Sequence, residues 1–183
     1  MFEAILRRVA QQLEGAGLPY MVIGGQAVLL YGEPRLTKDI DVTLGATLDR
    51  LPQVLELVQA MGLEPLVDPE DFTRQTMVLP CRDPGSDVRV DLIFSFSPYE
   101  RQALERTRPV ELGGGQVRFA SLEDVIIHKV IAGRPRDMED VKGMLIKNPG
   151  ADLDYIRSWL QDFAVSLGEP FKERFEKVLE DSR

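Results

Sequence analysis

Asp39, Asp41 and Asp91 are the residues of this sequence best placed to do chemistry. Asp39 and Asp41 stand two apart in DIDVTL, an alternating segment that predicts a strand. Residues two apart on a strand share a face, so both carboxylates project together while Ile40, Val42 and Leu44 point the other way. Side by side the two charges repel, and a divalent cation between them removes the repulsion. Magnesium suits such a pair, because it takes hard oxygen ligands from one or two carboxylates plus substrate phosphates. In DVRVDLIF, Val88, Val90, Leu92 and Phe94 share one face, and Asp87, Arg89 and Asp91 the other. An aspartate in the middle of so hydrophobic a strand is expensive unless paired, hydrogen-bonded or metal-bound. Upstream, Gly24-Gly25 follow the apolar run Tyr20-Met21-Val22-Ile23 and open a helical segment. Bare N–H groups at a helix N-terminus receive phosphate, and only glycine lets a phosphate chain come so close. Taken singly, these features read as a turn, a loop pair and a solvent-facing aspartate. Their order along the chain points instead to one phosphate and metal site.

The surrounding pattern supplies the elements that must position these residues. Phe2, Ile5, Leu6, Val9 and Leu13 recur at helical spacing, and Gly15 and Gly17 end the pattern. A strand at Tyr20 to Ile23, a glycine turn and a helix over GQAVLLYG follow, then the DIDVTL strand. Asp49 to Met61 reads as a helix with Pro52 in its first turn. Thr76 to Cys81 and Asp87 to Phe94 read as strands, and VELGGGQVRF as a glycine-turned hairpin. From Ser121 the character becomes helical. Ser121 and Asp124 predict a capping box for SLEDVIIHKVIAG, and DMEDVKGMLI, DLDYIRSWLQDFAVSL and EPFKERFEKVLE continue as helices. The expected organisation is an α/β core over residues 1–119 and a helical region over 120–183.

Composition bounds the function. The chain has 183 residues, 44% of them hydrophobic, enough for one substantial core. Its 30 acidic and 22 basic residues give a formal net charge of -8, which argues against a protein built to coat nucleic acid. A single cysteine, Cys81, excludes an internal disulfide and a cysteine-pair zinc site. The N-terminal MFEAILRRVAQQLEG carries charges throughout, without the apolar core of a signal peptide, and no run approaches membrane-spanning length. A soluble, cytoplasmic protein with no membrane partner is expected.

GGQAVLLYGEPRLTKDIDVTL resembles the signature of the DNA polymerase β-like nucleotidyltransferases. That signature is a hydrophobic strand, Gly-Gly or Gly-Ser, a helix, Asp-hydrophobic-Asp on the next strand and a third acidic residue on a later one. Within the superfamily the chain is similar to bacterial minimal nucleotidyltransferases related to the abortive-infection type IV toxins. Arg35-Leu36-Thr37-Lys38-Asp39 is typical of that branch, and SLEDVIIHKVIAGRPRDMEDV matches its later lysine and Arg-x-x-Asp-x-x-Asp stretch. The resemblance implies an α/β (α+β) fold, with a small mixed β-sheet flanked by helices and a C-terminal helical subdomain. It implies catalytic and metal-binding roles for Asp39, Asp41 and Asp91, and nucleotide binding by Gly24, Gly25, Arg35, Thr37 and Lys129. Arg134, Asp137 and Asp140 would form a second half of the site. One departure stands out: Gln26 occupies the place where many members carry a phosphate-contacting serine.

The implied activity is Mg2+- or Mn2+-dependent transfer of a nucleoside monophosphate from a triphosphate such as ATP to an acceptor hydroxyl. A small molecule, a protein or a tRNA would supply that hydroxyl, and the acidic charge disfavours tRNA. The alternative, kept open by Gln26, is a catalytically weak nucleotide-binding protein of a toxin–antitoxin pair, with an antitoxin as partner. Lys129 falls between Leu122 and Val125 on the helical wheel, inside the apolar stripe. It either snorkels from the stripe's edge or directs a desolvated ammonium at a triphosphate, at a cost to the nucleotide-free chain. Arg134 and Asp137 are spaced to pair, and Asp137 to orient Lys129. His128 reads as a surface or packing residue. Ile156, Trp159, Leu160, Phe163 and Leu167 read as helical core. Arg7, Arg8, Arg106 and Arg108 either line an acceptor groove or, as scattered arginines usually do, sit solvated.

Overall fold

DIDVTL and DVRVDLIF become neighbouring parallel strands near the middle of a mixed, open seven-stranded sheet. The computed structural model describes residues 1–182. Its strands are β1 (Tyr20–Ile23), β2 (Asp39–Leu44), β3 (Glu64–Pro65), β4 (Val78–Arg82), β5 (Arg89–Phe94), β6 (Arg108–Leu112) and β7 (Gly115–Phe119), in the order β3-β4-β5-β2-β1-β7-β6. β2 with β5 and β1 with β7 run parallel, and every other pair is antiparallel. Alternation sets the faces: Ile40, Val42 and Leu44 on β2 and Val90, Leu92 and Phe94 on β5 are all buried. The acidic positions take the opposite face.

The chain divides into two compact units, Met1–Gln26 with Thr37–Ala120, and Ala27–Leu36 with the chain from Ser121 onward. The first unit holds the whole sheet together with α1 (Phe2–Gly15), α3 (Leu51–Ala60), α4 (Pro69–Thr76) and α5 (Pro98–Glu105). α1 buries Ile5, Leu6, Val9, Ala10 and Leu13, the predicted stripe, and Pro52 lies in the first turn of α3 where its missing N–H costs nothing. Two helices of this unit escape periodicity. α4 is started by Asp68, whose carboxylate accepts from Glu70 and Asp71 N–H at 3.1 and 2.9 Å, and buries only Thr73. α5 is started by a Ser97–Glu100 capping box and buries Tyr99 and Ala103. Thr76, read as the start of a strand, ends α4 instead. Met77 turns left-handed at φ 62° and β4 begins at Val78.

The second unit holds α6 (Leu122–Ala132), α7 (Pro135–Lys147), α8 (Leu153–Leu167), α9 (Phe171–Asp181) and most of α2 (Gly24–Tyr31). Asn148 Nδ2 donates to the Tyr31 carbonyl at 2.8 Å and Lys147 Nζ to the Gly32 carbonyl at 2.9 Å, tying the end of α7 to the end of α2. Ser121 caps α6 by accepting from the Asp124 N–H at 3.2 Å. The reciprocal half of the expected box is replaced: the buried Asp124 carboxylate accepts from Ser121 Oγ at 2.6 Å and Tyr155 OH at 2.9 Å. Along α8 only Ile156 and Leu160 of the predicted stripe are buried, and Leu167 is exposed. Phe163 and Ala164 stay half-buried, and the last turn of α8 faces solvent. Among the described residues, no helix is long and apolar enough to cross a membrane.

Cys81 sits on β4 opposite Val90, fully buried. Burial first, and then the charge of Asp91, push its thiol up to about 12. The thiolate is the reactive form, so the native chain is expected to leave a disulfide-exchange reagent unreacted at pH 8. Addition of denaturant should release one equivalent. Rapid reaction without denaturant would mean that the edge strand β3 peels readily from β4.

Candidate functional site

Register puts the acidic residues together. Across the β2–β5 pair, Asp39 lies opposite Arg89 and Asp41 opposite Asp91. Parallel neighbours about 4.8 Å apart, and residues about 6.6 Å apart along a strand, place these four side chains on one face as the corners of a small rectangle. Three corners are carboxylates and one is a guanidinium. Asp39 is exposed, Asp41 half-buried, and Asp91 keeps 17% of its side chain accessible. Arg89 Nε donates to Asp91 Oδ1 at 2.8 Å. That hydrogen bond, followed by the charges of Asp91, Asp39 and Asp41, holds the guanidinium above its ordinary value against the pull of burial. Arg89 is the charged residue of this face that reading by motif passes over. Its signal was present in the alternation Arg89, Asp91 on one face, but an arginine is not a metal ligand and drew no role.

Gly24 closes the site from the other side. It opens α2 at φ +65°, a conformation that side-chain-bearing residues rarely hold. A Cβ added there would meet Asp41 Oδ2 at 2.0 Å and Asp41 Cγ at 2.9 Å. The Asp41 carboxylate therefore lies on the glycine's bare Cα, at the helix N-terminus where amides lack intrahelical partners. Gln26, in the same first turn, is 8% exposed, and its buried Nε2 has no hydrogen-bond partner among the described residues. Thr37 Oγ1 donates to the backbone carbonyl of Asp39 at 3.4 Å, just before the first carboxylate.

Three hard carboxylates on one face form the donor chemistry that a divalent cation requires. Among the described residues, however, no three Asp, Glu, His or Cys side chains converge closely enough to hold a metal ion. Asp91 is turned to Arg89, so the donor set is assembled by register and not yet gathered on one point.

The remaining predicted residues form a separate network in the second unit. Lys129 Nζ stands 2.7 Å from Asp137 Oδ1 and 3.0 Å from Asp140 Oδ2. Arg134 Nε donates to Asp137 Oδ2 at 2.7 Å, and Arg35 Nε lies 3.0 Å from Asp140 Oδ1. Charges thus alternate along Arg35, Asp140, Lys129, Asp137 and Arg134. Lys129, Asp137 and Asp140 are buried, with side chains 7%, 3% and 7% accessible. Asp137 is held by aligned hydrogen bonds, whereas Arg35 Nε and Asp140 Oδ2 sit at ion-pair distance with poor hydrogen-bond alignment. Burial pushes the Asp137 carboxyl up, and the bonds from Arg134 and Lys129 outweigh it, so it lies below the ordinary carboxylate value. The lysine enters the apolar stripe as an ion already paired, which removes the cost expected of a lone ammonium. Arg136 Nη2 adds a bond to the Leu36 carbonyl at 3.4 Å.

This chain belongs to the family described as "Nucleotidyltransferase of unknown function (DUF6036)", which it matches over residues 3–180. No curated protein matches its sequence. The fold is shared with solved structures of low identity. The antibiotic-resistance factor ANT(2'')-Ia is 15% identical, with 91% of this chain and 94% of that one covered, at a TM-score of 0.62. The same protein in complex with adenylyl-2''-tobramycin is 15% identical over 87% of this chain and 97% of that one, at 0.61. An antigenic nucleotidyltransferase-like protein from Paracoccidioides brasiliensis is 17% identical over 91% of each chain, at 0.56.

Two predictions come from this geometry. Gly24→Ala places a methyl group on Asp41 and strains a left-handed residue, so about 1–3 kcal/mol of stability should be lost. Urea unfolding checks it, and an unchanged midpoint would show that the turn rebuilds freely. Lys129→Met takes one of two cations from each of Asp137 and Asp140, leaving Arg134 and Arg35, and is expected to lower stability by about 1–3 kcal/mol. The pH dependence follows from Asp137. Its folded value is depressed, so its contribution is present above the unfolded carboxyl value and is lost as pH falls through the folded one. Melting temperature should therefore hold near neutrality and drop below about pH 4, with a shallower drop in Asp137→Asn.

Proposed function

We propose, from its membership of a nucleotidyltransferase family, that the chain moves a nucleoside monophosphate from ATP or a similar triphosphate to a hydroxyl of a small molecule, with a divalent cation. The carrying observation is the register of Asp41 against Asp91 with Asp39 on the same face. Asp39, Asp41 and Asp91 would hold Mg2+ or Mn2+, which when bound joins the carboxylates to the triphosphate and acidifies the acceptor hydroxyl. The chain's own groups do the rest. Gly24 and Gly25 offer backbone amides at the start of α2 to the phosphates. Asp91 accepts the proton of the acceptor hydroxyl as its oxygen attacks the α-phosphorus. The bond from that phosphorus to the bridging oxygen breaks and pyrophosphate leaves. Thr37 steadies the Asp39 backbone through its hydroxyl, and Arg35 is taken up by Asp140. Lys129, with a carboxylate at 2.7 Å and another at 3.0 Å, is given the structural part of holding Asp137 and Asp140.

The net charge of -8 supports a small or protein acceptor over tRNA. So does the likeness in fold to ANT(2'')-Ia, one structure of which holds an adenylylated antibiotic. Gln26 favours a second reading, a weakly catalytic nucleotide-binding protein of the cytoplasm held by an antitoxin. Among the described residues its buried Nε2 has no partner, where the resemblance expects a serine hydroxyl.

Transfer of label from α-phosphate-labelled ATP separates the two. Active transfer should require magnesium or manganese and disappear in Asp41→Asn. That variant should melt at or above the wild-type temperature, because it removes one of the mutually repelling charges. Calorimetry showing equal triphosphate affinity in chelator and in magnesium would remove the metal from the mechanism. Binding without turnover would select the second reading.

A further inference from the structure

We propose that Arg89 is a built-in counter-ion that occupies the cation's electrostatic place in the metal-free chain and must release Asp91 before a divalent ion can be held. This rests on the metal reading of the carboxylates given above. Arg89 is fixed to the rectangle by register, opposite Asp39 and two residues before Asp91 on the same face. Its guanidinium bonds Asp91 at 2.8 Å, and half of its side chain remains accessible. Without it, three carboxylates would share one face with nothing of opposite sign among the four positions. With it, Asp91 is bonded to the guanidinium and turned aside, which accounts for a donor set that is chemically right yet, among the described residues, does not converge. Asp91 is the carboxylate that closes the set, because it is the one contributed by the second strand. An arginine is suited to this because it stays charged at every working pH and holds a carboxylate directionally. Its exposed side chain lets it swing away without disturbing the apolar rear face of β5. Arg89 is therefore a positioning residue: it acts on the site through Asp91.

The test reads metal binding in nucleotide-free protein, by the loss of the free Mn2+ paramagnetic resonance signal. Arg89→Gln removes the competing charge and leaves all three carboxylates to the ion. Mn2+ affinity should rise on the order of tenfold, as expected for one charge facing a divalent ion across a few ångströms of near-surface solvent, and the gain should shrink with salt. Arg89→Lys keeps the charge and should stay near wild type. In thermal melts at low salt the Gln variant should be less stable than wild type without metal, and should gain more from added Mn2+. Equal or weaker Mn2+ binding by Arg89→Gln, with wild type binding normally, overturns the counter-ion role alone. Loss of triphosphate affinity with unchanged Mn2+ affinity would do the same and make Arg89 a phosphate contact. Absence of Mn2+ binding in wild type and Gln variant alike overturns both this role and the metal reading.

Discussion

Repulsion among three carboxylates on adjoining parallel strands is the constraint around which the first unit is organised. At the separations of a β-sheet, two unit charges near a protein surface cost between about 1 and 4 kcal/mol, depending on how much water screens them. The same strands bury Ile40, Val42, Leu44, Val90, Leu92 and Phe94 on their other face. Each such side chain contributes about 1.5–3 kcal/mol, so the rear face outweighs the strain of the front. The sheet can hold an unfavourable charge arrangement because its opposite side is apolar without interruption. Arg89 lessens the strain further from within, through its bond to Asp91.

The second unit meets the same problem of buried charge by pairing. Asp137 and Asp140 keep only 3% and 7% of their side chains accessible, against 17% for Asp91, and each has a cation within 3.0 Å. Such networks return little net stability when intact but cost several kcal/mol when one member is removed. What they supply is definition. Arg35 is bound at Asp140 only four residues before Asp39, and the Leu36 carbonyl accepts from Arg136, so the segment entering β2 is anchored at both residues. The ion pairs and the carboxylates they precede are linked through the chain itself.

Elements that bury one apolar stripe or one alternating face were legible in the sequence: α1, α3, β2 and β5 all follow their patterns. α4 and α5 were not, because each buries one or two residues and depends on its caps, Asp68 and the Ser97–Glu100 box. A capping motif without an apolar period is a weak signal. β3 has two residues and both are exposed, so no pattern was available. The stripe on α8 overstated the core, since periodicity shows which residues could be buried and not how far a neighbour extends.

For the candidate site, the sequence by itself determined the proposed donors. Asp-x-Asp on a strand, a third aspartate on another strand and Gly-Gly ahead of a helix are local patterns, because side-chain direction follows from residue spacing alone. Whether Lys129 was inward and paired, or inward and bare, depended on Asp137 and Asp140 arriving from the next helix. Likewise β5 could have paired with β2 in any register. Only the tertiary structure set Asp41 against Asp91 and Asp39 against Arg89, and a slip of one residue would have sent the β5 charges to the apolar side. Strand direction is written in periodicity; strand partnership is decided by the long-range packing of faces, and that places the guanidinium among the carboxylates.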